Sequence, residues 1–200
     1  MRTTPLILKW TLCAAIVALL AYLLSPKATP SMDALLEAEG LAAAVAASEI
    51  SDCEALARFA EHPSRTPADW NIFIPASKVN WPLGVPIGLV GVAAPIKLEG
   101  ADSGYLPRYR KGFGPSSPEG TSHDQAHHFA PYFLLGRRIP AFIAHAFLQR
   151  AERPESWGDI ELGRAAIEMG AARSTARFRD TFCLPAVESN VGNPADRALF

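Results

Sequence analysis

The sequence predicts a mainly α-helical protein: an N-terminal membrane helix, then a small helical domain with a few short extended or edge-strand segments. Three observations carry this. Trp10 to Leu24 is apolar apart from Thr11, extended by Pro5-Leu-Ile-Leu8, with Lys9 as the only charge. Residues 31–61 and 121–175 pair helix-start signals with apolar residues at helical spacing. Residues 69–120 between them are broken by glycine and proline every few positions.

The 200 residues suit one ordinary domain plus an appendage. We divide them into an anchor (or signal sequence) and linker, 1–30, and a domain, 31–200, loop-rich and extended over 69–120 with a helical core over 121–175. A formal net charge of -1 argues against nucleic acid as a partner, because such binding needs a basic surface to displace counterions. Seventeen prolines predict many broken connections.

About twenty helical residues span ~30 Å, one bilayer core. Arg2, Lys9 and the terminal amine mark the start of the apolar run; Lys27 and then Asp33, Glu37 and Glu39 follow it. The positive-inside bias predicts a single-pass membrane protein with its N-terminus in the cytoplasm and residues 31–200 outside. The alternative is a signal peptide, cleaved to leave a secreted protein. Pro26-Lys-Ala28 has proline and Leu23-Leu-Ser25 has leucine where a small residue belongs, and Trp10-Thr-Leu before Cys13 is no lipobox. Both alternatives hold the domain outside the cytoplasm. With Cys13 inside the apolar run, Cys53 and Cys183 remain as a pair in a disulfide-permissive compartment, and we expect them to be bonded.

In chain order, Ser31 caps a helix from Met32 to about Ser48, interrupted at Gly40. Ser51-Asp-Cys-Glu54 reads as a capping box for a helix to about Glu61, with Leu56, Phe59 and Ala60 inward and Arg58 and Glu61 outward. Trp70-Asn-Ile-Phe-Ile74 alternates imperfectly, and residues 84–96 are apolar but carry Pro86 and Pro95; edge strands or extended loops are expected there. Tyr105 to Phe113 interleaves three cations with three aromatics, which suits either a ligand or anionic headgroups, or a loop whose aromatics tuck into the core. Three helices follow: Ser122 to about Leu135, ended by Gly136; one started by Pro140 and running through Gln149; and one capped by Ser156 or Asp159 and running to about Arg173. In the last, Ile160, Gly163, Ile167 and Gly170 form a face for close helix approach. The tail from Asp180 to Phe200 reads as irregular.

The densest group of titratable residues is Thr121 to Gly136. Ser122-His-Asp-Gln125 fits a capping box, so His123 and His127 share one helix face and Asp124 and His128 the next. Pro131 removes the amide that would bond the His127 carbonyl. Two imidazoles one turn apart can chelate a divalent metal such as zinc, with His128, or His145, Asp159 or Glu161 from later helices, completing the set. His123-Asp-Gln-Ala-His127 resembles the His-Glu-x-x-His motif of zinc metalloproteases, with aspartate in place of the general-base glutamate and the motif at its helix start. The His123-Asp124 dipeptide also resembles the core of HD-type metal phosphohydrolases; that resemblance implies an upstream histidine, here His62, and a downstream aspartate, Asp159 or Asp180. In either case Asp124 and Asp159 are the candidate catalytic groups. A structural role competes: Asp124 favours a helix N-terminus, and His127 and His128 bond a carbonyl or Asp159. Metal-free acid–base chemistry or pH sensing is a third option.

No Gly-x-Ser-x-Gly and no phosphate-binding glycine loop is present. The expected function is therefore a membrane-anchored, extracytoplasmic structural or interaction protein of the cell envelope, the alternative being a metal-dependent hydrolase with its site at residues 123–128.

Overall fold

The structure, a computed structural model, describes residues 29–76, 92, 94–98, 109–110, 113, 125–151 and 157–184. The predicted membrane helix lies outside these residues, and among them no helix is long and apolar enough to cross a bilayer. The elements are α1 (Met32–Ala46), α2 (Asp52–Glu61), a 3-10 helix (Asp69–Phe73), α3 (Gln125–Arg138), α4 (Ala141–Ala151), α5 (Trp157–Ala172) and a short α6 (Phe178–Phe182). Among the described residues the domain is mainly helical, with two isolated bridges, Pro75 with Val92 and Tyr109 with Cys183; most of residues 84–96, where edge strands or extended loops are expected, lies outside them.

Ser31 starts α1, its hydroxyl accepting from the Ala34 amide at 3.2 Å. Ala34, Ala38, Leu41 and Val45 are buried along one face. The expected break at Gly40 does not occur: one glycine costs a helix only ~1 kcal/mol, and the buried face on either side outweighs it. Ser51 starts α2 by accepting from the Glu54 amide at 3.1 Å. Only Glu54, Arg58 and Glu61, spaced four and three apart, keep α2 in touch with solvent; Leu56, Phe59 and Ala60 are buried as predicted.

The stretch from Trp70 to Ile74 is not extended. It forms the 3-10 helix, and every residue from Asp69 to Ile74 is buried. With no solvent face, alternation of polarity had nothing to report. Asp69 organises this turn. Its carboxylate accepts from the Ser31 amide at 2.8 Å, the Thr66 amide at 2.7 Å and the Thr66 hydroxyl at 2.9 Å. Burial pushes this carboxyl up, but the bonds from Ser31 and Thr66 together hold it below its ordinary value. A carboxylate depressed in the folded state contributes stability that is complete above its unfolded pKa of about 4 and lost as pH falls through the folded value. We expect Asp69→Asn to lower stability at neutral pH by about 1–3 kcal/mol and to flatten the fall in stability below about pH 4. Urea titrations across pH 2.5–7 measure both; an acid limb as steep as wild type would mean Asp69 carries no linkage.

α3 and α5 run parallel, with α4 as the returning segment between them. His128 faces Asp159 near both N-termini, Gly163 lies against Tyr132, and Gly170 lies against Phe133 and Arg137 near both C-termini. The helix does not stop at Gly136, as predicted, but continues to Arg138 and passes through Pro131. Gly136 is a contact residue: a methyl there would overlap the Ile167 carbonyl. The predicted α5 face is present, with Gly163, Ile167 and Gly170 all buried.

The core is larger than the last three helices. Phe59, Trp70, Phe73, Phe129, Phe133, Phe178 and Phe182 form one continuous ring cluster, for example Phe59–Phe73 at 4.8 Å and Trp70–Phe133 at 4.9 Å. The tail is not wholly irregular, since α6 delivers Phe178 and Phe182 to this cluster fully buried. Cys53 and Cys183 are bonded, with Cα atoms 5.6 Å apart, joining α2 to the end of α6. Arg179 adds polar links to Glu54 at 3.1 Å and Glu61 at 3.6 Å.

Candidate functional site

The histidine stretch lies at the start of α3. His123 and Asp124 are outside the described residues; Gln125, His127 and His128 are described. All three lie in the first turn of α3, while Ala126, Phe129, Ala130 and Phe133 on the same helix are buried and hold it to the core. Because α5 runs parallel, its own first turn arrives alongside. His128 Nε2 lies 3.8 Å from Asp159 Oδ2, with the two side chains 20% and 17% exposed. His127 is partly buried next to this pair. Gln125 is 1% exposed, and its amide oxygen and nitrogen have no hydrogen-bond partner among the described residues. Such a group costs roughly 1–3 kcal/mol to bury.

The other candidates lie elsewhere. His145, on α4, bonds Glu168 at 2.7 Å. Glu168 is nine residues beyond Asp159, or about 13 Å along α5, so His145 does not join His128 and Asp159. Glu161 pairs with Arg164 at 2.5 Å. His62, the upstream histidine implied by the HD-type resemblance, lies 3.9 Å from Glu37 of α1 and hydrogen-bonds Ser64. Asp180 is exposed on α6. Among the described residues no three His, Cys, Asp or Glu side chains converge to hold a metal ion. The arrangement that remains among the described residues is a half-buried imidazole–carboxylate pair at two helix N-termini, bridging α3 and α5.

The cation–aromatic run also folds inward where it is described. Tyr109 is 6% exposed, Arg110 gives its amide to the Phe182 carbonyl at 2.7 Å and its Nε to the Cys183 carbonyl at 2.9 Å, and Phe113 meets Phe182 edge-on at 4.9 Å. Arg110 thus fastens the α6 end beside the disulfide.

Comparison with known protein families, curated proteins and solved structures finds no match to the chain. Sequence reading missed two features: the buried Gln125 amide, and a group of arginines at the far end of α3 and α5. The Arg137-Arg138 dipeptide before Pro140 was a visible signal for the second.

Proposed function

We propose that this chain is a membrane-tethered interaction domain of the cell envelope, working outside the cytoplasm. The single observation that supports this best is the Cys53–Cys183 bond, which joins two ordered helices across 130 residues. Such bonds persist in oxidising compartments and are rare where glutathione keeps thiols reduced. The apolar run from Trp10 to Leu24 supplies the route out, and the charges around it favour a cytoplasmic N-terminus.

Fusing alkaline phosphatase, active only outside the cytoplasm, after Phe200 tests the topology. We expect an active fusion that stays in the membrane fraction after alkaline washing, with Cys53 and Cys183 resistant to alkylation until reductant is added. An active fusion in the soluble fraction, lacking the first residues, would select the secreted form. An inactive fusion with both thiols open to alkylation would overturn the proposal.

A further inference from the structure

Three cations gather where α3 and α5 end. Arg137 and Arg138 close α3, and Arg173 follows α5 in the left-handed region at φ 53°. Among the described residues none of these guanidiniums is paired with a carboxylate. Arg137 is pushed below its ordinary value, first by burial and then by Arg173 and Arg138, so the three sense one another. The same end bears an exposed ring. His145 meets Glu168 across α4 and α5, so Phe142, one turn earlier on the antiparallel α4, is level with Ala171 to Arg173. Phe142 is 75% exposed, and Pro140, Ala171 and Ala172 beside it are exposed too. The negative ends of two parallel helix dipoles account for the cations. They do not account for a bare phenyl ring among them.

The N-terminal segment enters the domain beside the middle of α3, where Trp70 packs between Phe129 at 5.2 Å and Phe133 at 4.9 Å. The Ser31 amide bonds Asp69, neighbouring Trp70 packs on Phe133 at 4.9 Å, and the Phe133 carbonyl faces Gly170, with Arg137 one turn further. From Leu24 to Thr29 the chain can reach at most about 18 Å. An anchored segment would therefore hold the domain close to the bilayer.

We propose that Arg137, Arg138, Arg173 and Phe142 form a tip that rests on the bilayer holding the N-terminal segment, guanidiniums on anionic phospholipid headgroups and the phenyl ring at the headgroup boundary. Planar guanidiniums match phosphate oxygens in pairs, and a phenyl ring flanked by cations is the composition that binds membrane interfaces. The contact orients the domain relative to the membrane and leaves the opposite end, with His128 and Asp159, facing away. It rests on the anchored reading above.

The test is hydrogen–deuterium exchange on the full chain in nanodiscs of neutral phosphatidylcholine, or with about a third phosphatidylglycerol. We expect residues 137–145 and 170–174 to exchange about threefold or more slowly in the anionic discs, with the rest of the domain unchanged. R138Q/R173Q should remove that difference, as should high salt. A chain that fails to stay with the disc overturns the anchored reading and the contact together. A retained chain with equal exchange in both discs overturns the contact alone. Protection restored in neutral discs by inorganic phosphate would also overturn it, in favour of a free-phosphate site.

Discussion

Replacing Cys53 and Cys183 together by alanine is expected to destabilise the domain by about 4 kcal/mol, and reductant should do nearly the same to the native chain. The bond closes 130 residues, so its loss frees a long loop in the unfolded ensemble. A local reason adds to this. α6 is five residues long, too short to hold its own helix, and it stays in place through buried Phe178 and Phe182, the Arg110 and Arg179 links and the disulfide. Urea unfolding with and without reductant measures the effect, and the melting temperature should drop by about 10 °C. A midpoint unmoved by reductant would mean that the aromatic contacts of Phe178 and Phe182 suffice to dock α6.

Gly136→Ala and Gly170→Ala should each cost about 3 kcal/mol or more, although alanine is the better helix former. At 136 the new methyl would overlap the Ile167 carbonyl and sit 2.7 Å from the Ile167 Cα; at 170 it would overlap the Phe133 carbonyl and sit 2.9 Å from the Arg137 amide. These are backbone atoms, so no rotamer change relieves them; the two helices must separate. Gly163→Ala should cost less, since its nearest neighbour is the flexible end of Leu148. Gly40→Ala provides the control: nothing lies within 4 Å of the added methyl, and a stabilisation of about 0.5–1 kcal/mol is expected. Denaturation midpoints of the four variants give the order. If Gly136→Ala proved as stable as Gly40→Ala, the close parallel contact of α3 and α5 would be wrong.

These glycines show how much of the fold could be read in advance. Gly40 and Gly136 look alike in sequence, each in a helical run, and both read as interruptions. One is open to solvent and harmless, the other is the point where two backbones touch, and only the partner helix distinguishes them. The starts of α1 and α2 were legible because Ser31 and Ser51 act within three residues, on the amides of Ala34 and Glu54. The 3-10 helix at Asp69–Phe73 was not, because burial on all sides erases the pattern that separates strand from helix. At the candidate site, the helix and the crowding of histidines were visible. Asp159 was already legible as a partner for His127 or His128; that it faces His128, and that His145 pairs instead with Glu168, followed only from the parallel run of α3 and α5. The arginine–phenylalanine tip escaped for the same reason: its members are separated in the chain and meet only where three helices end together.

By itself the sequence determined what depends on near neighbours and on composition: the helical class, the helix starts, the apolar run with its flanking charges, and the even cysteine pair left outside that run. Tertiary structure alone decided which glycines are contacts, that α6 is a helix within the aromatic core, that Asp159 faces His128 while His145 pairs with Glu168, and that three arginines and a phenyl ring share one end. The physical division is one of range. Caps and periodicity act over a few residues, whereas parallel packing couples positions about thirty apart through atoms that have no sequence signature.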